Sequence, residues 1–257
     1  MTSRTMNELI DQLRSGDLSR RSFMRRATAM GLSATAAGSL AHQAVAQDSS
    51  PVASPVAGGT KSITRQEYQA QLFETFEMEE PAQTGGVVIH VNTTDLRTLH
   101  PHLYTDTYSG IIATNIYQFL ATGSAVDGTP VPSLADYWEV GDDGITYTFH
   151  IAENATWHDG NPVTADDVVF SFDSMLDENT LSVRRSGVVL ALESYSKVDD
   201  KTVQLVSKGP LATFVADTAG TVGIIPKHIW EGVDVAEWGS DPGSTGQDAS
   251  RVVGSGP

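Results

Sequence analysis

Asp-Gly occurs three times in close succession, at Asp127-Gly128, Asp143-Gly144 and Asp159-Gly160. Aspartate closes tight turns through its own side chain, and glycine accepts the left-handed backbone such turns need. These pairs therefore cut the middle of the chain into short hairpin-connected pieces. Between the last two, Ile145, Tyr147, Phe149 and Ile151 alternate with Thr146, Thr148 and His150. A period of two puts the apolar set on one face of a half-buried strand. A second pair of strands is predicted around Asp199-Asp200-Lys201, with Val203 and Leu205 pointing the same way.

Helical patterns interleave with these strands. In "SGIIATNIYQFLAT" (109–122), Ile112, Ile116, Phe119 and Leu120 share a helical face. After Pro162, Thr164 is placed to cap a helix whose first turn holds Asp166 and Asp167, where carboxylates meet the positive end of the helix dipole. Val168, Val169, Phe172 and Leu176 form its predicted apolar face. "GGVVIHVN" (85–92) reads as a further β-branched strand. Strands, some joined by hairpins, mixed with helices indicate an α/β body.

Upstream the texture differs. Residues 1–46 carry the parts of an export signal in order: Arg20, Arg21, Arg25 and Arg26, a short weakly apolar stretch, and the small-x-small site Ala44-Val45-Ala46, predicting cleavage after Ala46. Ser19–Met24 resembles the twin-arginine signal of a pathway that carries folded proteins, with Arg20 and Arg21 as its pair. Residues 47–62 are Ser/Pro/Ala/Gly-rich and read as a flexible linker. The segment 63–84 opens with a capping box, Thr64 and Glu67. It carries the stripe Tyr68, Leu72, Phe73 and Phe76, a helical extension expected to pack on the main body at 85–257.

The chain has 257 residues and a formal net charge of −16. Six of its basic and three of its acidic residues precede residue 47, so the exported part would hold 10 basic against 29 acidic side chains. Such a surface disfavours nucleic acid and anionic lipid as partners. The absence of cysteine removes disulfides, thiol nucleophiles and zinc–thiolate sites from consideration.

The densest run of chemistry-bearing residues is "WHDGNPVTADDVVFSF" (157–172). A zinc site needs ligands at convergent spacing, such as two histidines four apart on a helix; His158 has no such partner, and His100 and His102 flank a proline. A glycosidase needs carboxylates facing each other across a cleft, whereas Asp166 and Asp167 are neighbours in a first helical turn. The run reads as scaffold: a turn, an extended link, and a capped helix. No cofactor is expected.

From "PVPSLADYWEVGDDGITYTFHIAENATWHDGNPVTADDVVFSF" onward, through "SVRRSGVVLALESYSKVDDKTVQLVSK" and "VGIIPKHIW", the chain resembles the family-5 extracellular solute-binding proteins of ABC importers. The resemblance spans roughly 85–257. It implies a type II periplasmic-binding-protein fold, two α/β lobes with ligand trapped between them. Only the first lobe, with a mixed sheet, is expected here, followed in relatives by a second lobe. It further implies capture of a small solute, foremost a peptide, for permease subunits at the membrane. Location in the periplasm or on the outer face of the cytoplasmic membrane follows, with a monomeric full-length protein and no enzymatic activity. Through "TLHPHLYTDTY" the match implies ligand contacts a few residues past Pro101, at Tyr104, Asp106, Thr107 and Tyr108, although His100 stands where the family's block carries aspartate. Arg184 lies roughly where relatives turn a residue toward the cleft, and a guanidinium there would suit a carboxylate. Two other classes stay open on residues alone. One is a secreted hydrolase using His158, Asp159 and Asp166; the other is a ligand-free interaction module.

Overall fold

The computed structural model describes residues 12, 22, 23, 25, 26, 60–76 and 94–256, and divides into two compact units, Met1–Ser54 and Pro55–Pro257. In the first unit the described residues Gln12, Ser22, Phe23, Arg25 and Arg26 are helical. Arg20, Arg21 and the expected cleavage point at Ala46 lie outside the described residues, as does the strand read at 85–92. No helix among the described residues is long and apolar enough to cross a membrane.

In the second unit the elements run β1 (Thr60–Lys61), α1 (Arg65–Phe76), α2 (Thr107–Ile116), β2 (Ala121–Gly123), β3 (Pro130–Pro132), β4 (Ala135–Val140), β5 (Thr146–Ile151), α3 (Ala165–Leu176), α4 (Arg185–Ala191), β6 (Leu192–Asp199) and β7 (Thr202–Ser207). Short helical turns follow, among them Lys227–Trp230 and Pro242–Thr245. Five strands form one sheet in the order β1-β4-β5-β7-β6, and β2 and β3 make a separate ribbon. Expected as mixed, the sheet is antiparallel in every pairing of the described strands. Hairpin turns at 141–145 and 200–201 connect β4 to β5 and β6 to β7, and a tight turn can only return the chain antiparallel.

The three Asp-Gly turns form as read. Gly128, Gly144 and Gly160 have φ of 79°, 68° and 88°. Asp143 illustrates the chemistry: its Oδ1 accepts the Ile145 and Thr146 N–H groups at 3.0 and 2.9 Å, closing the β4–β5 turn. No atom would obstruct a side chain at Gly160, so Gly160→Ala isolates the backbone cost of positive φ. A loss of about 1–2 kcal/mol is expected. Urea unfolding checks it, and an unchanged midpoint would refute it.

β5 buries Tyr147, Phe149 and Ile151, and β7 buries Val203 and Leu205 beside them. α3 lies over this face. Its buried apolar line is Ala165, Val168, Phe172 and Met175; Val169 and Leu176 are only half covered, because the helix rolls toward β6 and the chain at 225–227. Trp157, Leu120, Leu134 and Phe214 complete the core. A second cluster joins Tyr117, Ile225, Trp230 and Trp238.

Two other boundaries differ from the expectation. The tether read over 47–62 ends earlier, since Thr60 and Lys61 pair with Val140 and Glu139 at the edge of β4 and Ser62 N–H donates to the Trp138 carbonyl at 2.9 Å. The helix predicted through Leu120 stops at Ile116. Tyr117 is extended (φ −111°, ψ 137°), Phe119 bridges Gly223, and Leu120 enters the core from non-helical backbone. The buried face of α2 consists of Ser109, Gly110 and Ala113, while Ile111 stays exposed. Small residues are needed there, because the Tyr104 ring lies about where a Cβ of Gly110 would make a tight contact at 3.0 Å. The capping box of α1 forms as read, with Thr64 N–H donating to Glu67 Oε2 at 2.6 Å and Glu67 N–H to Thr64 Oγ1 at 3.2 Å. Tyr68 ties this helix to the body by accepting the Ala125 N–H at 2.9 Å.

Candidate ligand loop and its supports

The segment leading into α2 is held down at its start. Leu99 N–H donates to the Ser244 carbonyl at 2.7 Å, and Thr98 Oγ1 accepts the His100 N–H at 3.1 Å. His100 and His102 are both fully buried. His100 sits between two indoles, its ring centroid 4.6 Å from those of Trp230 and Trp238. Its Nδ1 accepts the His102 N–H at 3.2 Å, and His102 Nε2–H donates to the Gly223 carbonyl at 2.8 Å. Burial holds the His100 imidazole well below its usual range. Burial also lowers His102 to about 4, against the opposing pull of the Gly223 bond and with the nearby Arg184 charge adding to the fall. Both rings are neutral anchors at pH 7.

Past these anchors the residues expected to touch ligand come together. The Arg184 guanidinium lies 3.8 Å from the Tyr104 ring centroid, and its Nη1 donates to the Tyr104 carbonyl at 2.9 Å. Asp106 caps α2: its Oδ1 accepts the Ser109 N–H at 2.9 Å, and this bond, followed by one from the Ser109 hydroxyl, holds the carboxyl below its ordinary value. Thr107 and Tyr108 form the first turn of α2. A groove of roughly 450 Å³ runs between Thr94, Asp95 and Arg97 on one side and Thr105 to Tyr108 on the other. Asp106, Thr107 and Tyr108 line it directly; Tyr104 and Arg184 stand behind, bracing the loop.

Arg184→Ala removes one charge-assisted bond and one cation–π contact, so a cost of about 1–2 kcal/mol is expected, together with a change in near-ultraviolet dichroism from Tyr104. Urea titration measures the first, and a wild-type midpoint would show that the brace is idle.

Thr94, Asp95 and Arg97 were not singled out from the sequence, since their relation to 105–108 depends on a loop doubling back. Its visible clue is the Ser109 hydroxyl, which accepts the Arg97 N–H at 3.0 Å. The residues considered for hydrolysis are engaged elsewhere. His158 uses both ring nitrogens on the chain at 254–256, Asp159 Oδ2 lies 2.7 Å from His228 Nε2, and Asp166 pairs with Lys197 at 2.8 Å. Asp167 accepts the Thr164 and Lys227 N–H groups. Among the described residues no group of three or more His, Asp or Glu is placed to hold a metal ion.

The family model for the bacterial extracellular solute-binding proteins, family 5 (middle region), matches residues 129–257, half of the chain. The chain belongs to that family. Among curated members, the di/tripeptide-binding protein 2 of Pseudomonas aeruginosa is 31% identical over 174 residues, covering 61% of this chain and 32% of that protein. The dipeptide-binding protein of Escherichia coli is 39% identical over 105 residues, or 35% of this chain and 20% of that one. In three dimensions the chain is similar to the oligopeptide-binding protein AppA of Bacillus subtilis, solved in complex with a nonapeptide. That match has a TM-score of 0.56 and 28% identity, and covers 62% of this chain and 31% of AppA. The chain thus spans about a fifth to a third of the length of these solute-binding relatives. Its fold is that of part of a two-lobed periplasmic binding protein.

Proposed function

We propose that this chain is the substrate-binding component of an ABC importer and that its solute is a peptide, held without chemical change. The groove between 94–97 and 105–108 carries the reading. It is open, of mixed polarity, and carries Asp95 and Arg97 on one wall, a pair of opposite charge suited to amide and terminal groups. It lies at the N-terminus of α2, in a chain whose relatives are named for binding dipeptides, tripeptides and oligopeptides. Tyr108, Thr107 and Asp106 are read as contacts, Tyr104 and Arg184 as their supports. The expected partners are the permease subunits, met by a monomeric protein on the outer side of the cytoplasmic membrane or in the periplasm.

In a two-lobed clamp the ligand is desolvated from both sides, and the lobe described here supplies one of them. Binding by residues 47–257 taken on their own is therefore expected to be weak, with Kd on the order of 1 mM, or about −4 kcal/mol. Titration of the labelled protein with di- and tripeptides should move backbone resonances of 94–97 and 104–109, and Tyr108→Ala should abolish those shifts without unfolding the protein. Shifts elsewhere only, or none up to about 10 mM peptide, would defeat the reading. Export rests on the Arg20-Arg21 signal. Fractionation of cells expressing the full chain should find a processed form beginning at Gln47 outside the cytoplasm; an uncleaved cytoplasmic protein would count against it.

A further inference from the structure

His158 makes its hydrogen bonds to residues 96 and 98 positions away in sequence. It sits on the turn after Trp157, whose side chain is buried in the core and whose carbonyl accepts the Gly160 N–H at 2.9 Å. The same turn is held from its other side by the Asp159–His228 pair. From this rigid base His158 reaches the segment Val253–Gly256 by three bonds. Its N–H donates to the Gly254 carbonyl at 2.8 Å, its Nδ1 accepts the Gly254 N–H at 3.3 Å, and its Nε2–H donates to the Gly256 carbonyl at 2.9 Å. Acceptor at Nδ1 and donor at Nε2 select one neutral tautomer.

On its opposite side the segment lies against the end of α2. Gly256 N–H donates to the Ile116 carbonyl at 2.9 Å, satisfying one of the acceptors a helix C-terminus leaves open. A Cβ on Gly254 would collide with the Ile116 carbonyl, and one on Gly256 with that of Asn115. Glycine is required at both positions by this close approach, and Gly-Ser-Gly is therefore a fitted strap.

We infer that His158 is a positioning residue: it clips the strap 253–256 onto the C-terminal end of α2, and so fixes the helix whose other end presents Asp106, Thr107 and Tyr108 to the groove. Ten residues make α2 about 15 Å long, a rigid rod clamped at one end by the strap and at the other by the Asp106 cap and the Arg184–Tyr104 brace. The clip stands independently of any ligand; its bearing on the groove rests on the solute-binding reading.

The test is amide hydrogen exchange of the full chain, with His158→Ala, His158→Asn and Gly254→Ala beside the wild type. His158→Ala should speed exchange at Gly254 and Gly256 about tenfold or more and loosen the last turn of α2, leaving β5 and β7 at wild-type rates. His158→Asn, whose Oδ1 can replace Nδ1 as acceptor, should restore protection at Gly254 but not at Gly256. Gly254→Ala should free the strap from the opposite side with the same pattern. Nitrogen-15 spectra of wild-type imidazoles give a readout independent of variant folding: His158 must carry its proton on Nε2. A proton on Nδ1, unchanged exchange at 254–256 in His158→Ala, or acceleration spread evenly over the sheet would overturn the clip. A protein that shows the clip yet gives no peptide-induced shifts would sink the peptide reading and leave the clip intact.

Discussion

Taking the protein from pH 7 to pH 4 is expected to lower its unfolding free energy by about 3 kcal/mol through His102 alone, with His100 adding to the loss. Above the unfolded value of 6.5 the imidazoles are neutral in both states, and stability does not depend on them. Below 6.5 the unfolded chain takes up a proton at each ring, while the folded protein refuses it until about 4 at His102, and burial likewise holds His100 well below 6.5. Folded stability is therefore fully present above 6.5 and falls as pH drops, at about 1.4 kcal/mol per pH unit for each histidine. The refusal has a structural cause: both rings are fully buried, His100 between Trp230 and Trp238, and the nearby Arg184 charge adds to the effect at His102 against the opposing pull of the Gly223 carbonyl.

Carboxylates held low by hydrogen bonds act in a different window: Asp106 by Ser109, Asp143 by Thr146, and Asp159 by His228 against the opposing effect of burial. Their contribution is present above 3.8 and lost only as pH falls through their lowered values. Urea unfolding between pH 6.5 and 4.5 thus isolates the histidines. His100→Phe combined with His102→Gln should flatten the slope in that interval. Equal slopes in the double variant and the wild type would refute the assignment.

The second large effect is expected from Asp167→Ala, at about 3–4 kcal/mol. Asp167 is 5% exposed. Its Oδ2 accepts the Thr164 N–H at 2.8 Å and the Thr164 hydroxyl at 3.1 Å, and its Oδ1 accepts the Lys227 N–H at 2.9 Å. One carboxylate thus caps α3 and holds the chain at 227, where the helical turn carrying Trp230 begins. One turn along, the Ser171 hydroxyl accepts the Ile225 N–H at 3.0 Å and donates to the Asp167 carbonyl at 2.7 Å. Alanine would leave the Thr164 and Lys227 N–H groups without their acceptor in a half-buried place. Asp167→Asn keeps one oxygen and should lose roughly half as much. Urea midpoints at constant slope decide it; a loss below about 1 kcal/mol for alanine would show that water replaces the carboxylate freely.

The two effects converge on one place. His100 and Asp167 lie on different elements, yet both hold the 225–238 region, one by ring contacts and the other by backbone bonds. The groove is thereby built on a packed polar–aromatic base, and its loop is steadied from below.

Which of these features were legible beforehand follows from the distance over which each interaction acts. The Asp-Gly turns, the alternation of β5, the capping box at Thr64–Glu67 and the acidic first turn of α3 after Thr164 depend on partners within a few residues, so sequence order alone displays them. The family blocks were readable for the same reason. The end of α2 at Ile116, its buried face of Ser109, Gly110 and Ala113, the brace of Arg184 on Tyr104 and the bond from Asp167 to Lys227 depend on partners brought from elsewhere in the chain. Apolar periodicity favoured continuing the helix through Leu120, but the extended backbone buries Phe119 and Leu120 and gives the carbonyls of residues 118–120 partners at Ile224, Leu134, Ser133 and Ala135. His158 states the division most plainly: its position in a turn was set locally by Asp159-Gly160, whereas its hydrogen-bond partners, 96 and 98 residues away, exist only in the folded protein.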